Sequence, residues 1–286
     1  MKNNKLHFIM ALAMFSWAIA WTNAKIVNEY LSFYNLIFLR FLIGFISIYP
    51  FIYKKKNLKI LTFKNLKYII PCSIIFYIYN LFFFMGTHYG YAGKGAVLVT
   101  TLNPIITFII MIFIKKKINA KEIFGIFLGL IGGLIIMDIF QEGFMHIFNI
   151  NNIFFLICAT TWGINTVITN YGQKEIDSYQ FIFYCYLLTS IISIPFINIL
   201  EINLMNLDKK FYLNFLLVSL GAMSFGTSAY MYATPRLGPI KASVFIFSVP
   251  FLALGTANIF LKETLSYNII IGGVLSLLAI YIINKK

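Results

Sequence analysis

The side chains best placed to bind a solute form a polar stripe within an apolar stretch of the chain. The stripe consists of Gly93, Ala96, Thr100, Asn103 and Thr107. Steps of three and four residues place all of them on one face of a helix. Pro104 frees a backbone carbonyl one turn earlier, near Thr100, and such a weakened turn suits a neutral or zwitterionic ligand. The alternative is that the stripe hydrogen-bonds to neighbouring helices.

Two tryptophans add to this candidate site. Trp17 and Trp162 lie about halfway along their apolar stretches, which argues against the interfacial anchoring that is usual for a membrane tryptophan. We expect their rings to form facing walls of a cavity, with plain packing as the alternative.

Amide and phenol groups complete the set. Asn80 is the one strongly polar residue deep in its apolar stretch and needs a partner. It shares a helix face with Tyr77 and His88, while Asn165 and Tyr230 lie in two further stretches. The predicted substrate-binding residues are Trp17, Asn80, Thr100, Asn103, Trp162, Asn165 and Tyr230.

Arg40 is the single charged residue well inside an apolar stretch, where a charge is costly and has to pair or reach water. No Asp or Glu lies at a matching depth. The guanidinium could bond carbonyls freed by Pro104 or bind a substrate carboxylate. The alternatives, which we favour, are that it ties helices together or snorkels outward, and of these we expect the tie. Glu263 is acidic but stands beside Lys262 at a helix end, where we expect a structural role.

Residues for catalysis or metal binding are lacking. The sequence has no paired carboxylates, no metal-ligand cluster and no phosphate-cradling motif. Cys72, Cys158 and Cys185 are isolated in apolar stretches, which indicates packing. We therefore predict no catalytic residue, no metal and no cofactor, and a protein that is not an enzyme.

The composition predicts the elements that must hold these residues. Sixty per cent of the 286 residues are apolar and eleven per cent are charged, which is typical of an all-α polytopic membrane protein. Most of the apolar segments reach the length that a helix needs to cross a bilayer. The ten predicted transmembrane helices are residues 6–26, 33–53, 68–85, 93–114, 123–140, 153–171, 179–200, 212–233, 240–261 and 267–283.

The chain repeats itself at an offset of 145–147 residues. Residues 12–53 resemble 156–198, and 76–137 resemble 221–283. Five segments per copy is an odd number, so the second copy is expected to be inverted relative to the first, as in many transporters. We predict two five-helix repeats, at residues 1–143 and 150–286.

The two copies differ where the candidate site lies. In the second copy, Tyr186 stands at the position of Arg40. The positions equivalent to Thr100, Asn103 and Thr107 are occupied by Ile246, Val249 and Ala253. The predicted site is therefore polar on one side and apolar on the other. Small residues recur on the last helix of each copy, namely Gly125, Gly129 and Gly133 in the first and Gly272 and Ser276 in the second. They predict a close contact between these two helices, with a dimer face as the alternative.

The basic residues predict the orientation. The net charge is +14, but Lys and Arg lie between apolar segments and not along one soluble face, which argues against nucleic acid as a partner. With the N-terminus inside, seventeen basic residues are internal and five external, so both termini are expected to be cytoplasmic. The expected location is a bacterial inner membrane.

Several motifs resemble the drug/metabolite transporter superfamily, in particular its EamA-type branch with ten helices. They are Phe15-Ser16-Trp17-Ala18 with Thr161-Trp162-Gly163, Leu39-Arg40-Phe41, the stretches 86–104 and 236–250, and Leu261-Lys262-Glu263-Thr264-Leu265 before Gly272. The first copy departs from the last pattern, because Lys116 stands near the glutamate position. The resemblance covers the whole chain and implies a central cavity and transport of small metabolites, often amino acids.

The function that we predict is transmembrane transport, with export as the leading expectation, of amino acids or related organic solutes by alternating access. The alternatives are a membrane-embedded enzyme and a non-transporting scaffold. The expected partners are a small-molecule substrate and the lipid bilayer, and the chain is either a monomer or a homodimer.

Overall fold

The structure is a computed structural model that describes residues 3–53, 61–90, 92–114, 118–139, 143, 152–201, 207–261 and 267–285. Within these ranges the chain forms ten helices and no strand, which confirms the all-α prediction. The first seven are α1 Asn3–Val27, α2 Phe33–Tyr53, α3 Phe63–Tyr89, α4 Ala92–Ile114, α5 Ala120–Ile136, α6 Ile153–Gly172 and α7 Ser178–Ser193. The last three are α8 Lys209–Leu237, α9, which joins Pro239–Val244, Phe245–Phe247 and Ser248–Leu261, and α10 Tyr267–Asn284.

Eight helices in the described ranges are long and apolar enough to cross a membrane, and the apolar helix Pro239–Gly255 is shorter. Large apolar side chains remain exposed along the outer faces of these helices, among them Phe113 and Leu277. Apolar side chains on the outside of a helical bundle are what a hydrocarbon surround favours. The architecture is therefore that of a polytopic membrane protein.

Helix ends differ from the predicted segments for local reasons. α5 begins earlier than expected because the Asn119 side chain accepts from the backbone of Lys121 and the Glu122 side chain accepts from the backbone of Asn119, which forms a capping box. α7 ends at Ser193 and not at residue 200, because Pro195 lacks a backbone donor and Ile194–Phe196 forms a 3-10 turn.

α8 begins earlier than predicted because of Asp208. The Asp208 carboxylate accepts from the backbone N–H of Phe211 at 2.8 Å and from the hydroxyl of Tyr30 at 2.9 Å. The backbone bond from Phe211 is the main reason that the pKa of Asp208 lies below its ordinary value. This cap also links the start of α8 to the segment between α1 and α2.

The most extensive helix contacts follow the two halves of the chain. α5 packs on α10, and α2 packs on α7, so each of these contacts joins equivalent helices. α3 packs on α6 as α8 packs on α1, and α4 packs on α6 as α9 packs on α1. Exchanging the halves therefore exchanges the major contacts.

Small residues bring α5 and α10 together, as the glycine pattern predicts. A Cβ on Gly272 would lie 2.4 Å from the carbonyl oxygen of Gly132, so the two backbones touch. A Cβ on Gly125 would lie 2.3 Å from Ile283. Gly129 and Gly133 face Phe247 and Thr101, outside this interface. The central contact is thus Gly132 against Gly272, one residue away from the predicted stripe.

Two helices of the second half are irregular near mid-length. Leu217–Thr227 of α8 is an eleven-residue π-helical segment, and Phe245–Phe247 of α9 is a 3-10 turn. Such segments shift backbone carbonyls out of the regular α-helical pattern and often mark functional sites. Nothing in the sequence periodicity predicted either of them.

Candidate solute-binding cavity

A small internal cavity lies between helices of both halves. Its free volume is about 40 Å³, which is room for a water molecule but not for an amino acid. The lining residues are Trp17, Ala20, Trp21, Arg40, Tyr79, Phe83, Val99, Thr100, Asn103, Trp162, Ala222, Thr227 and Ile246. The wall is mainly apolar, with five aromatic rings, and adds hydroxyl and amide groups and one positive charge.

The tryptophan pair forms one wall of the cavity and not the two facing walls that we expected, because the two rings are in contact with each other. The rings of Trp17 and Trp162 lie 4.9 Å apart, edge to face, and Tyr79 lies 4.7 Å from Trp162. Trp17 Nε1 donates to the carbonyl of Ala222 at 3.0 Å. The chain has three tryptophans, and all three, including Trp21, line this cavity.

Arg40 supplies the charge. Its Nε donates to the carbonyl of Val218 at 3.2 Å and its Nη1 donates to Asn80 Oδ1 at 2.6 Å. The amide of Asn80 is held in turn, because its Nδ2 donates to the carbonyl of Phe76 at 2.8 Å. The guanidinium carbon lies 5.5 Å from the ring of Phe83. Among the described residues no carboxylate lies in the cavity wall or pairs with Arg40.

The structure thus gives Arg40 the helix-to-helix tie that we expected, from α2 to α3 and α8. The carbonyls near Pro104, which were one of the alternatives, are not hydrogen-bond partners of Arg40, so that alternative was wrong. The reason lies in α8, where the π-helical segment presents the carbonyl of Val218 to a side chain. Sequence periodicity gives no sign of that displaced carbonyl.

The π-helical segment of α8 accepts hydrogen bonds from three different helices. Val218 accepts from Arg40 of α2 and Ala222 from Trp17 of α1. Met223 accepts from the hydroxyl of Tyr186 of α7 at 3.1 Å. An irregular helix that holds side chains from three neighbours fixes the shape of the cavity wall.

The polar stripe of α4 reaches the cavity at two residues. Thr100 and Asn103 both line it, and the hydroxyl of Thr100 donates to the carbonyl of Ala96. Asn103 Oδ1 is buried and has no donor within the described ranges. A buried amide oxygen without a donor costs about 1–3 kcal/mol, so a ligand that donates to it would be favoured.

The other predicted site residues lie behind the wall. Asn80 positions Arg40. Tyr230 packs its ring 5.2 Å from Trp17 and shares a hydrogen bond of 2.9 Å with the hydroxyl of Thr166. Asn165 is buried and outside the lining, and its Oδ1 has no donor among the described residues.

Several lining residues were missed. On α3 the sequence favoured the face of Tyr77 and His88, but Tyr79 and Phe83 line the cavity. The reason is that residues 76–84 carry aromatic side chains on every helix face, so polarity alone could not identify the inner one. Arg40 stood out as the one intramembrane charge, but depth alone did not show that it borders the cavity. Glu263, the other acidic candidate, lies outside the described residues.

Groups for metal chemistry were not found. The described residues hold no cluster of three or more His, Cys, Asp or Glu side chains that could bind a metal ion. Cys72, Cys158 and Cys185 are free and buried, in agreement with packing roles.

Comparison with known proteins places this geometry in a family. A model of the EamA-like transporter family matches residues 4–138 and again residues 149–285. The two matches together cover nearly the whole chain, and they confirm the resemblance found in the motifs.

Similar proteins share the full length. An uncharacterized transporter of Archaeoglobus fulgidus is 27% identical over 99% of both chains. The uncharacterized transporter YoaV of Bacillus subtilis is 24% identical over 91% of this chain and 89% of its own. A solved crystal structure superposes with a TM-score of 0.75 over 97% of this chain and 94% of that one, at 16% identity, which shows that the fold is shared.

Proposed function

The chain belongs to the EamA-like transporter family, and we propose that this membrane transporter carries amino acids or related small organic solutes by alternating access around its central cavity. The observation that carries the proposal is the cavity itself. It lies between the two halves and combines aromatic walls with Arg40, Thr100 and Asn103. Mixed apolar and polar linings of this kind are typical of small-molecule sites.

The small size of the cavity supports a transport cycle in which the protein adopts more than one conformation. At about 40 Å³ the cavity is too small for an amino acid, so binding of such a solute requires the helices around it to move apart. Opening requires the helices of one half to move against the other. The π-helical segment of α8 and the 3-10 turn of α9 are the irregular places where a helix can bend with least loss of hydrogen bonds.

The internal repeat explains how the proposed cycle opens to both sides of the membrane. If the second copy is inverted, exchanging the shapes of the two halves turns an outward opening into an inward one around the same cavity. The major helix contacts already exchange when the halves are exchanged, which supports this arrangement. The distribution of basic residues supports cytoplasmic termini. We further propose a bacterial inner membrane as the location and export as the direction.

Coupling to a proton gradient has little support in the cavity. The acids that the structure describes lie outside the lining, so no carboxylate there can carry a proton through. A facilitator or exchanger is the simpler proposal. The rival membrane-embedded enzyme has no support from the cavity, since the lining lacks a nucleophile and base pair.

Flux measurements test the proposal. Purified protein in liposomes should take up a labelled metabolite in a saturable way, and unlabelled solute trapped inside should accelerate the uptake. Protein-free liposomes are the control. Solutes can be chosen first by quenching of tryptophan fluorescence, because every tryptophan lines the cavity. Solutes that bind the cavity but show no saturable flux would contradict the proposal.

A further inference from the structure

Arg40 is a buried charge without a counter-charge. The residue is 6% exposed and lies among apolar helices, and no carboxylate pairs with it in the described ranges. A charge in that position is unfavourable unless polar groups or an opposite charge surround it. A neutral amide and one backbone carbonyl satisfy hydrogen bonds, but they do not neutralise the charge.

The guanidinium also has donors to spare. It carries five N–H groups, of which Nε–H and one on Nη1 are used. Nη2 has no hydrogen-bond partner among the described residues, and Arg40 borders the cavity. The end of the guanidinium formed by Nη1 and Nη2 matches the two oxygens of a carboxylate.

We propose that Arg40 is the carboxylate anchor of the cavity, so that the transported solutes are small organic acids or amino acids. This inference names the substrate class of the site and rests on the proposed transport function. The carboxylate pairs with the free end of the guanidinium. The apolar part of the solute packs among Trp17, Trp162 and Phe83, which line the same cavity.

Asn103 favours amino acids within this class. Its side-chain oxygen has no donor in the described residues, and it lines the same cavity as Arg40. An amino group could donate to it while the carboxylate pairs with Arg40. A plain carboxylic acid would leave that oxygen without a partner and is expected to bind less tightly.

The competing interpretation is that Arg40 only ties helices together. Asn80 separates the two roles, because its amide oxygen contacts Nη1 at 2.6 Å. Asn80→Asp puts a carboxylate at that place with almost no change in size. It should strengthen the tie and at the same time neutralise the charge that the solute needs. A role in the tie alone predicts unchanged binding in this variant.

The test compares matched solutes on the purified protein. Binding of L-leucine and L-phenylalanine, of their carboxamides and of isovalerate is followed by tryptophan fluorescence. Carboxylates should bind about 10- to 100-fold more tightly than the carboxamides, the range expected for hydrogen bonds to a charged group. In Asn80→Asp that preference should fall to about one, with thermal stability kept or raised. Arg40→Lys, which keeps the charge but loses the fork, should retain a reduced preference.

The results separate this inference from the proposed function. Three results would overturn the carboxylate anchor. The first is equal binding of amino acids and their carboxamides, the second is no binding of either amino acids or isovalerate, and the third is a preference for carboxylates that survives in Asn80→Asp. Saturable flux of neutral or cationic solutes would then still support transport. A carboxylate preference that depends on Arg40, without any flux, would support the anchor and contradict transport.

Discussion

The two halves of the chain line one cavity with different chemistry. The first half contributes the charge of Arg40, the amide of Asn103 and the hydroxyls of Thr100 and Tyr79. From the second half come Trp162, Ala222, Thr227 and Ile246, whose one hydroxyl belongs to Thr227. The main helix contacts treat the halves alike, but the lining does not. In the transport cycle that we propose, the shared architecture supplies the movement and the unequal side chains supply the recognition of the solute.

Arg40 and Tyr186 show this difference most clearly, because they occupy equivalent positions on α2 and α7. Both reach the π-helical segment of α8, Arg40 at the carbonyl of Val218 and Tyr186 at that of Met223. The hydroxyl of Tyr186 also pairs with Ser228 at 3.0 Å, so it is fully satisfied. Arg40 keeps unused donors and borders the cavity. Tyr186 therefore has a structural role, whereas Arg40 has a structural role and, in our proposal, also binds the solute.

Substitutions of Arg40 and Tyr186 should therefore affect different properties, solute affinity for Arg40 and stability for Tyr186. The loss of affinity is the largest effect that we expect. Arg40→Met keeps volume but removes the charge, so binding of carboxylate solutes should weaken about 10- to 100-fold. Its stability should change by about 2 kcal/mol at most, because losing the buried charge offsets the lost hydrogen bonds. Tyr186→Phe is the matched control. It should lose about 1 kcal/mol of stability and keep normal affinity. Ligand titration and thermal unfolding of both variants check the pair.

The contact between α5 and α10 is where the halves are most alike, and it should behave as scaffold. Gly272→Ala places a Cβ 2.4 Å from the backbone carbonyl of Gly132, which cannot move aside as a side chain can. We expect about 1–3 kcal/mol of destabilisation and poor folded yield, with unchanged affinity in the protein that folds. Gly93→Ala is the control, since nothing lies within 4 Å of its added Cβ. Lost affinity in Gly272→Ala would show that this interface belongs to the site.

The π-helical segment offers a test of the link between α8 and the tryptophan wall. Gly226→Ala brings a Cβ within 2.8 Å of Trp17 Nε1 and should displace that ring, which breaks the bond to Ala222. Solute affinity should fall, with about 1 kcal/mol lost from the hydrogen bond, and the tryptophan emission should shift. Gly221→Ala lies in the same segment but meets only Ser16 at 3.5 Å. Equal effects of the two alanines would argue against a specific role of Trp17.

The smallest effect that we expect comes from making α4 resemble α9. Asn103→Val copies the residue that the second half carries at the equivalent position, Val249. Binding should weaken about three- to tenfold, since one hydrogen bond to a neutral partner contributes about 0.5–1.5 kcal/mol. Expression should stay near normal. Poor expression with unchanged affinity would instead make Asn103 a packing residue, as the alternative interpretation of the stripe holds.

Much of the asymmetry could be predicted from the sequence, because it follows from comparing two copies position by position. That comparison set Trp17 beside Trp162 and set the polar stripe against Ile246 and Val249. It could not reveal the partners of Arg40. The Val218 carbonyl is available only because α8 is π-helical at that point, and backbone register of this kind leaves no trace in hydrophobic periodicity.

The depth of a polar residue within its apolar segment predicted residues at or next to the cavity better than its helix face did. Asn80 and Arg40 were both singled out as polar groups deep in apolar segments, and they turned out to be partners at 2.6 Å. The predicted inward face of α3 was wrong, because Tyr79 and Phe83 line the cavity and Tyr77 and His88 do not. In a helix that is apolar or aromatic all round, only the packing of its neighbours decides which face is inside.

Cysteine labelling most directly tests the central claim, which is that solute reaches the polar, first-half side of the cavity between the two halves. In a background with Cys72, Cys158 and Cys185 replaced, Asn103→Cys and Val249→Cys place the same thiol at equivalent positions of the two halves. A small water-soluble thiol reagent, applied while solute drives the transport cycle, should modify Asn103→Cys and be slowed by saturating solute. Val249→Cys, buried in the apolar core, should stay unmodified. An Asn103→Cys protein that folds, transports and never reacts would contradict the account.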